Sequence, residues 1–152
     1  MRTLFVAFLF LTSCAFHPLY QKQDLKDVCV ESIPEQTGYQ LYQSLRQHFS
    51  GTGNCAYTLK VKTPTYSFSD QSVSSKDFIT MQRIGASTSY SLLNAKKDVV
   101  LSNTASTTGS SAIVQNPYAS VVAEEKNAAN LNTILADQIA LHIVAFLNGQ
   151  KQ

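Results

Sequence analysis

Apolar residues recur along this chain with two different periods. Between Glu35 and Phe49, the residues Leu41, Tyr42, Leu45 and Phe49 return at helical spacing, with Gly38 one turn earlier, while Gln40, Gln43, Arg46 and Gln47 take the other side. That spacing predicts an amphipathic helix, stopped by Gly51 and Gly53, because glycine leaves helical geometry at little steric cost. A longer stripe of Ala128, Leu131, Leu135, Ile139, Ile143 and Phe146 predicts a second helix. Asn116 offers a side-chain oxygen as its N-cap, Pro117 fits the first turn, and Glu124 and Glu125 lie in the half where the helix dipole favours acids. Such a stripe is the face a helix lays on a sheet.

Elsewhere the period is two. Residues 27–33 predict a short strand that Pro34 ends. Residues 56–62 alternate Tyr57, Leu59 and Val61 with Thr58, Lys60 and Lys62, a half-buried strand with a polar, basic outer face. Residues 67–77 read as a loop. A long run then places Ile84, Ala86, Thr88, Tyr90 and Leu92 on one face; Asn94-Ala95-Lys96-Lys97-Asp98 follows, and then Val99-Val100-Leu101. Two strands joined by five polar residues predict an antiparallel hairpin. Residues 102–111, rich in Ser, Thr and Asn, fit either a strand edge or a loop. The order strand, helix, three strands, helix predicts an α+β domain with both helices on one face of a small, roughly four-stranded mixed sheet.

The first fourteen residues bear on compartment. Met1-Arg2-Thr3 is a short positive start, residues 4–11 are an unbroken apolar run, and Thr12-Ser13 lead into Cys14. The run is shorter than the roughly 20 residues of a spanning helix and reads as a secretory signal. Leu11-Thr12-Ser13-Cys14 resembles the bacterial lipobox, where small residues before Cys admit the lipoprotein signal peptidase and the thiol receives diacylglycerol as a thioether. Three acyl chains, at about 0.8 kcal/mol per buried methylene, make a lasting anchor. Ala15 in place of Asp resembles the default for sorting onward to the outer membrane. No later stretch reaches 18 uninterrupted apolar residues, so no membrane span is expected after the signal. The expected organisation is a signal peptide at 1–13, a lipidated tether at 14–26, one domain at 27–148 and a tail at 149–152.

With Cys14 assigned to lipid, Cys29 and Cys55 remain, an even pair in an oxidising compartment. A disulfide closing this interval is worth roughly 3 kcal/mol in the chain-entropy model. Facing directions oppose it: Cys29 points away from Val28 and Val30, while Cys55 shares parity with Tyr57 and Leu59. A Cys55 placed in the loop removes that objection, so a disulfide and two free thiols both stand. No second ligand lies at zinc-like spacing.

Charged residues make up 14% of the chain, against roughly 25% in ordinary soluble proteins, and uncharged Ser, Thr, Asn and Gln occupy surface positions instead. The formal charge of +2 is too small for the clustered cations that displace counterions from nucleic acid. The chain carries no nucleophile elbow, P-loop, zincin pair or C-x-x-C. His17, His48 and His142 are scattered over tether and helices. Glu124 and Glu125 are adjacent, so on a helix they diverge by roughly 100° and cannot form a glycosidase-type pair. No enzyme, metal or cofactor is expected. Charge is nevertheless uneven: Lys60, Lys62, Lys76, Arg83, Lys96 and Lys97 outweigh Asp70, Asp77 and Asp98, whereas the second helix holds Glu124, Glu125 and Asp137 against Lys126. A solvated strand face accounts for such lysines, and so does an anion site for a phosphorylated amphiphile, since Lys supplies a mobile point charge.

Cys14-Ala15-Phe16-His17-Pro18-Leu19-Tyr20 resembles the C-G-F-x-P-L-Y start of LPS-assembly lipoproteins of the LptE family. The similarity extends through the strand and helix around Ile33 to Leu45, through Arg83 to Ser89-Tyr90-Ser91-Leu92, and through Asn116-Pro117-Tyr118-Ala119 into the helix with Leu135-Ala136-Asp137-Gln138-Ile139. Ala15 departs from the usual Gly. The resemblance implies a non-catalytic, outer-membrane, lipid-anchored plug inside the lumen of the barrel protein LptD, which helps that barrel assemble and contacts lipopolysaccharide. On that basis Lys76, Lys96 and Lys97, in the loop and hairpin turn, are the first candidates for the ligand, followed by Arg83, Lys60 and Lys62. The alternative is a periplasmic auxiliary lipoprotein of a phospholipid-handling ABC transporter.

Overall fold

The computed structural model describes residues 25–73, 79–112 and 117–150. The elements run β1 (Val28–Val30), α1 (Gln36–His48), β2 (Tyr57–Val61), β3 (Thr65–Val73), β4 (Ile79–Asn94), β5 (Val99–Ala112) and α2 (Pro117–Gly149). Helix α1 closes where the Phe49 backbone N–H donates to the Leu45 carbonyl at 2.9 Å, with Arg46 and His48 in its last turn, the end where the dipole favours cations.

Strand β4 is the spine of the sheet. Along one edge it pairs antiparallel with β5, from Met81 opposite Ala112 to Leu93 opposite Val99. The other edge is shared end to end, β2 lying against residues 90–94 and β3 against residues 79–87. Strand β1 adds to β2 in parallel, Val28 opposite Tyr57. Between β2 and β3 the chain gains one residue relative to β4. Tyr57, Leu59 and Val61 oppose Asn94, Leu92 and Tyr90, whereas Tyr66 and Phe68 oppose Ala86 and Ile84. The helix-facing set therefore changes from odd to even numbers across the break at Thr63-Pro64, as a bulge requires. The buried Thr88 hydroxyl donates to the Lys62 carbonyl at 2.6 Å and satisfies it at the break.

Both helices cover one face of this sheet. Leu131, Leu135, Ile139, Ile143 and Leu147 of α2 join Leu41 and Leu45 of α1, Val28, Leu59, Ile84, Ala86, Tyr90 and Leu92 in one buried cluster. Each such large side chain contributes about 1.5–3 kcal/mol by leaving water. Asn132 is fully buried in this layer. It accepts from the Tyr66 hydroxyl at 2.8 Å and donates to Gln40 at 3.4 Å, tying α2 to β3 and to α1.

The sheet has five strands, one more than the alternation suggested. Residues 65–73 form β3, most of them within the stretch 67–77 expected to be loop; their polar composition and the parity change after Pro64 hide the pattern. The open reading of 102–111 resolves to strand, because pairing with β4 satisfies its backbone. Leu25, expected in the tether, is 2% exposed and belongs to the core. Val121–Gly149 is long and apolar enough to cross a membrane, but half of its most apolar stretch is buried inside the fold. It serves as the core helix.

Candidate functional site

The face of the sheet turned away from the helices is a carpet of hydroxyls. Alternation requires it: with Ala86, Thr88, Tyr90 and Leu92 turned to the core, Ser87, Ser89 and Ser91 face outward, and β5 matches them with Ser106, Thr104 and Ser102. Cations enter from β2. Lys60 stands opposite Ser91, which stands opposite Ser102, forming one row. Lys62, just past β2, donates its backbone N–H to the Ser89 carbonyl at 2.9 Å, so Lys62, Ser89 and Thr104 form the next row. An open groove of about 430 Å³ lies here, lined by Glu31, Ser32, Lys60, Lys62, Ser89 and Ser91 among others. Beyond it, a shallower hollow of about 140 Å³ is bounded by Lys62, Thr65, Ser87 and Thr104.

The Lys60 ammonium sits 3.2 Å from Glu31, with both side chains about half exposed. Such a pair is worth roughly 0–1 kcal/mol, so an incoming anion displaces Glu31 at small cost. Lys62 has no ion-pair partner among the described residues. Neutral hydroxyls donate and accept alike, and with two mobile ammonium groups above them the groove suits a phosphorylated, hydroxyl-rich headgroup.

Of the six cations proposed from the sequence, the five that are described do not form one site. Arg83 shares the outer face with Lys60 and Lys62 but stands eight residues along β4 from Ser91, about 26 Å away. Lys96 and Lys97 occupy the β4–β5 turn. There the Asn94 side-chain oxygen accepts from the N–H groups of Lys96 and Asp98, each at 2.9 Å, and its amide donates to the Asp98 carboxylate at 3.2 Å. Lys97 holds φ 67°, a left-handed conformation that costs a side-chain-bearing residue about 1 kcal/mol or more. Lys76 and Cys14 lie outside the described residues. The strand ends flanking Lys76, Val73 and Ile79, are paired at the far end of β4 from Asn94, about 50 Å along the strand.

Cys29 and Cys55 are joined, with Cα atoms 5.7 Å apart. The facing objection fails because β2 begins at Tyr57 and leaves Cys55 in the preceding loop. Gly51 permits the approach: a Cβ there would collide with the Val28 carbonyl and reach within 2.8 Å of the Cys55 sulfur. Of the histidines, His48 pairs with Asp137 at 2.9 Å across the helix–helix contact, and His142 Nδ1 lies 2.7 Å from the Tyr90 hydroxyl. Among the described residues no three His, Cys, Asp or Glu side chains converge as a metal site. The residues that sequence reasoning missed are the serines and threonines of the carpet and Glu31. The signal was present in Ser87, Ser89 and Ser91, alternating with buried neighbours, but only the pairing of β5 and β2 shows that they share a surface with Lys60 and Lys62.

Solved structures share this fold. A candidate lipoprotein from Caulobacter crescentus CB15 superposes with TM-score 0.66 at 20% identity, over 84% of this chain and 96% of the other. Rare lipoprotein B from Shewanella oneidensis gives 0.64 at 11% identity, over 82% and 98%. An uncharacterized lipoprotein B from Nitrosomonas europaea gives 0.61 at 15%, over 80% and 83%. The chain shares one fold with these lipoproteins across nearly their whole length. No family model matches its sequence, and no curated protein matches it.

Proposed function

We propose that this chain is a non-catalytic, lipid-anchored lipoprotein of the outer membrane that seats in the lumen of LptD, supports assembly of that barrel, and binds lipopolysaccharide on its way to the outer leaflet. The observation that carries this reading is the outer sheet face. Its rows of hydroxyls interrupted by Lys60, Lys62 and Arg83 match the polar interior of a large barrel and the phosphates of lipid A. The opening resemblance from Cys14 to Tyr20 supports the anchor, and the fold shared with rare lipoprotein B supports the class.

The test has two arms. Tagged full-length chain, extracted from outer membranes, is expected to copurify with a stoichiometric barrel; recovery of a permease complex instead would assign it to phospholipid handling. Purified Lys60→Ala/Lys62→Ala is expected to bind lipopolysaccharide about tenfold more weakly at low salt, with its melting temperature unchanged. The Lys96→Ala/Lys97→Ala pair measures the turn separately. Unaltered affinity in both variants would overturn the ligand assignment, and an absent barrel would overturn the plug.

A further inference from the structure

The groove on the outer sheet face holds a carboxylate as well as cations, and the fold fixes that carboxylate from both sides. Val28 and Val30 turn toward the core, so Cys29 and Glu31 take the outer face. The bond from Cys29 to Cys55 ties the chain down two residues before Glu31, and the Glu31 backbone N–H donates to the Leu59 carbonyl at 2.9 Å. Past Glu31, the Thr63 hydroxyl donates to the Pro34 carbonyl at 3.4 Å. Glu35 then holds φ 69° with ψ 160°, a region almost confined to glycine, which a side-chain-bearing residue keeps only where its surroundings impose it. Glu31 therefore stands fixed at the head of the row that continues through Lys60, Ser91 and Ser102. The Cα of Lys62 lies about 7 Å from that of Lys60, on the same face.

We propose that this groove selects a phosphate ester that carries a primary ammonium group, of the ethanolamine phosphate kind. The inference rests on the reading of the groove as a phosphate site and adds the group that Glu31 recognises. A phosphate arriving alone at Lys60 breaks the 3.2 Å pair with Glu31 and leaves that carboxylate beside its own negative charge, which is unfavourable. An ammonium two carbons from the phosphate removes the conflict. It takes the place of Lys60 at Glu31, while the phosphate takes Lys60 and Lys62, whose flexible stems let both ammonium groups reach one phosphate. The hydroxyls of Ser89 and Ser91, which line the same groove of about 430 Å³, supply donors for the remaining oxygens. Each protein charge then keeps an opposite partner. A phosphate monoester carries roughly two negative charges near pH 7 and so balances both lysines, which favours it over the diester of a phospholipid headgroup.

The full-length chain in non-ionic detergent is titrated calorimetrically at low salt with three probes: ethanolamine phosphate, ethyl phosphate, which lacks the ammonium, and glycerophosphoethanolamine, the diester headgroup. Ethanolamine phosphate is expected to bind about fivefold more tightly than ethyl phosphate. In Glu31→Gln that preference is expected to disappear, ethanolamine phosphate weakening about fivefold while ethyl phosphate binds at least as tightly as before, with the melting temperature of the parent. Equal binding of the two monoesters to the parent, or a Glu31→Gln variant that loses both together, overturns the selectivity while leaving the phosphate site in place. Absence of binding by either monoester overturns the phosphate site and the selectivity with it. Tighter binding of the diester than of the monoester would give the groove to a phospholipid headgroup bearing the same ammonium.

Discussion

Two tyrosines and one lysine show how single residues are placed. The phenols of Tyr66 and Tyr90 are raised above the usual 10.0, chiefly by burial, opposed by hydrogen bonds with Asn132 and Asn103. In the unfolded chain they ionise near 10, while the fold favours their neutral form. Their contribution is therefore fully present below about pH 10 and is lost as pH rises toward the higher folded values. The melting temperature is expected to fall steeply above about pH 10, and less steeply in Tyr66→Phe. Lys97 is the converse case, a residue in a conformation that suits glycine. Lys97→Gly should raise stability by about 0.5–1 kcal/mol, read by thermal melting. A lysine kept where glycine folds better agrees with a role for its charge outside the fold.

At the level of elements, the smallest strand depends on the covalent link. Strand β1 spans three residues and, among the described residues, pairs with the sheet only through β2. The bond from Cys29 to Cys55, 26 residues apart, holds it there. Cys29→Ser/Cys55→Ser is expected to lose about 3 kcal/mol, measured by urea denaturation, and to loosen β1 first, seen as faster amide exchange at residues 28–30. Helix α2 depends less on any single feature. Its stripe was legible because core contacts recur at one period over many turns. Strand β3 was not legible, since Thr65–Val73 is mostly polar and is held by its pairing with β4. A strand defined by its partner's backbone leaves a weak trace in its own side chains.

For the whole molecule, the proposed anchor at Cys14 is expected to be separable from the domain. Cys14 lies outside the described residues, and the core begins by Leu25. Cys14→Ser is expected to abolish incorporation of labelled palmitate and release the chain from membranes, while its melting temperature stays that of the parent. Equal labelling of mutant and parent would remove the lipobox reading. The division of charge is likewise global: the outer sheet face carries Lys60, Lys62 and Arg83, while α2 carries Glu124, Glu125 and Asp137 with a single Lys126. The layers therefore differ in sign although the total is near zero, which orients the molecule toward anions by its sheet.

Local patterning by itself determined the two helices, the β4–β5 hairpin and the α+β order, because each is written in neighbours a few residues apart along the chain. Tertiary structure decided the fifth strand, the joining of Cys29 to Cys55 and the site. The bulge at Thr63-Pro64 sets which residues of β3 face the helices, the loop position of Cys55 frees it from strand parity, and sheet pairing brings Lys60 and Lys62 over serines that lie about 30–40 residues away in sequence. These are non-local contacts, whose partners a sequence window cannot see, and they separate the five described candidate cations into a groove, a turn and a distant arginine.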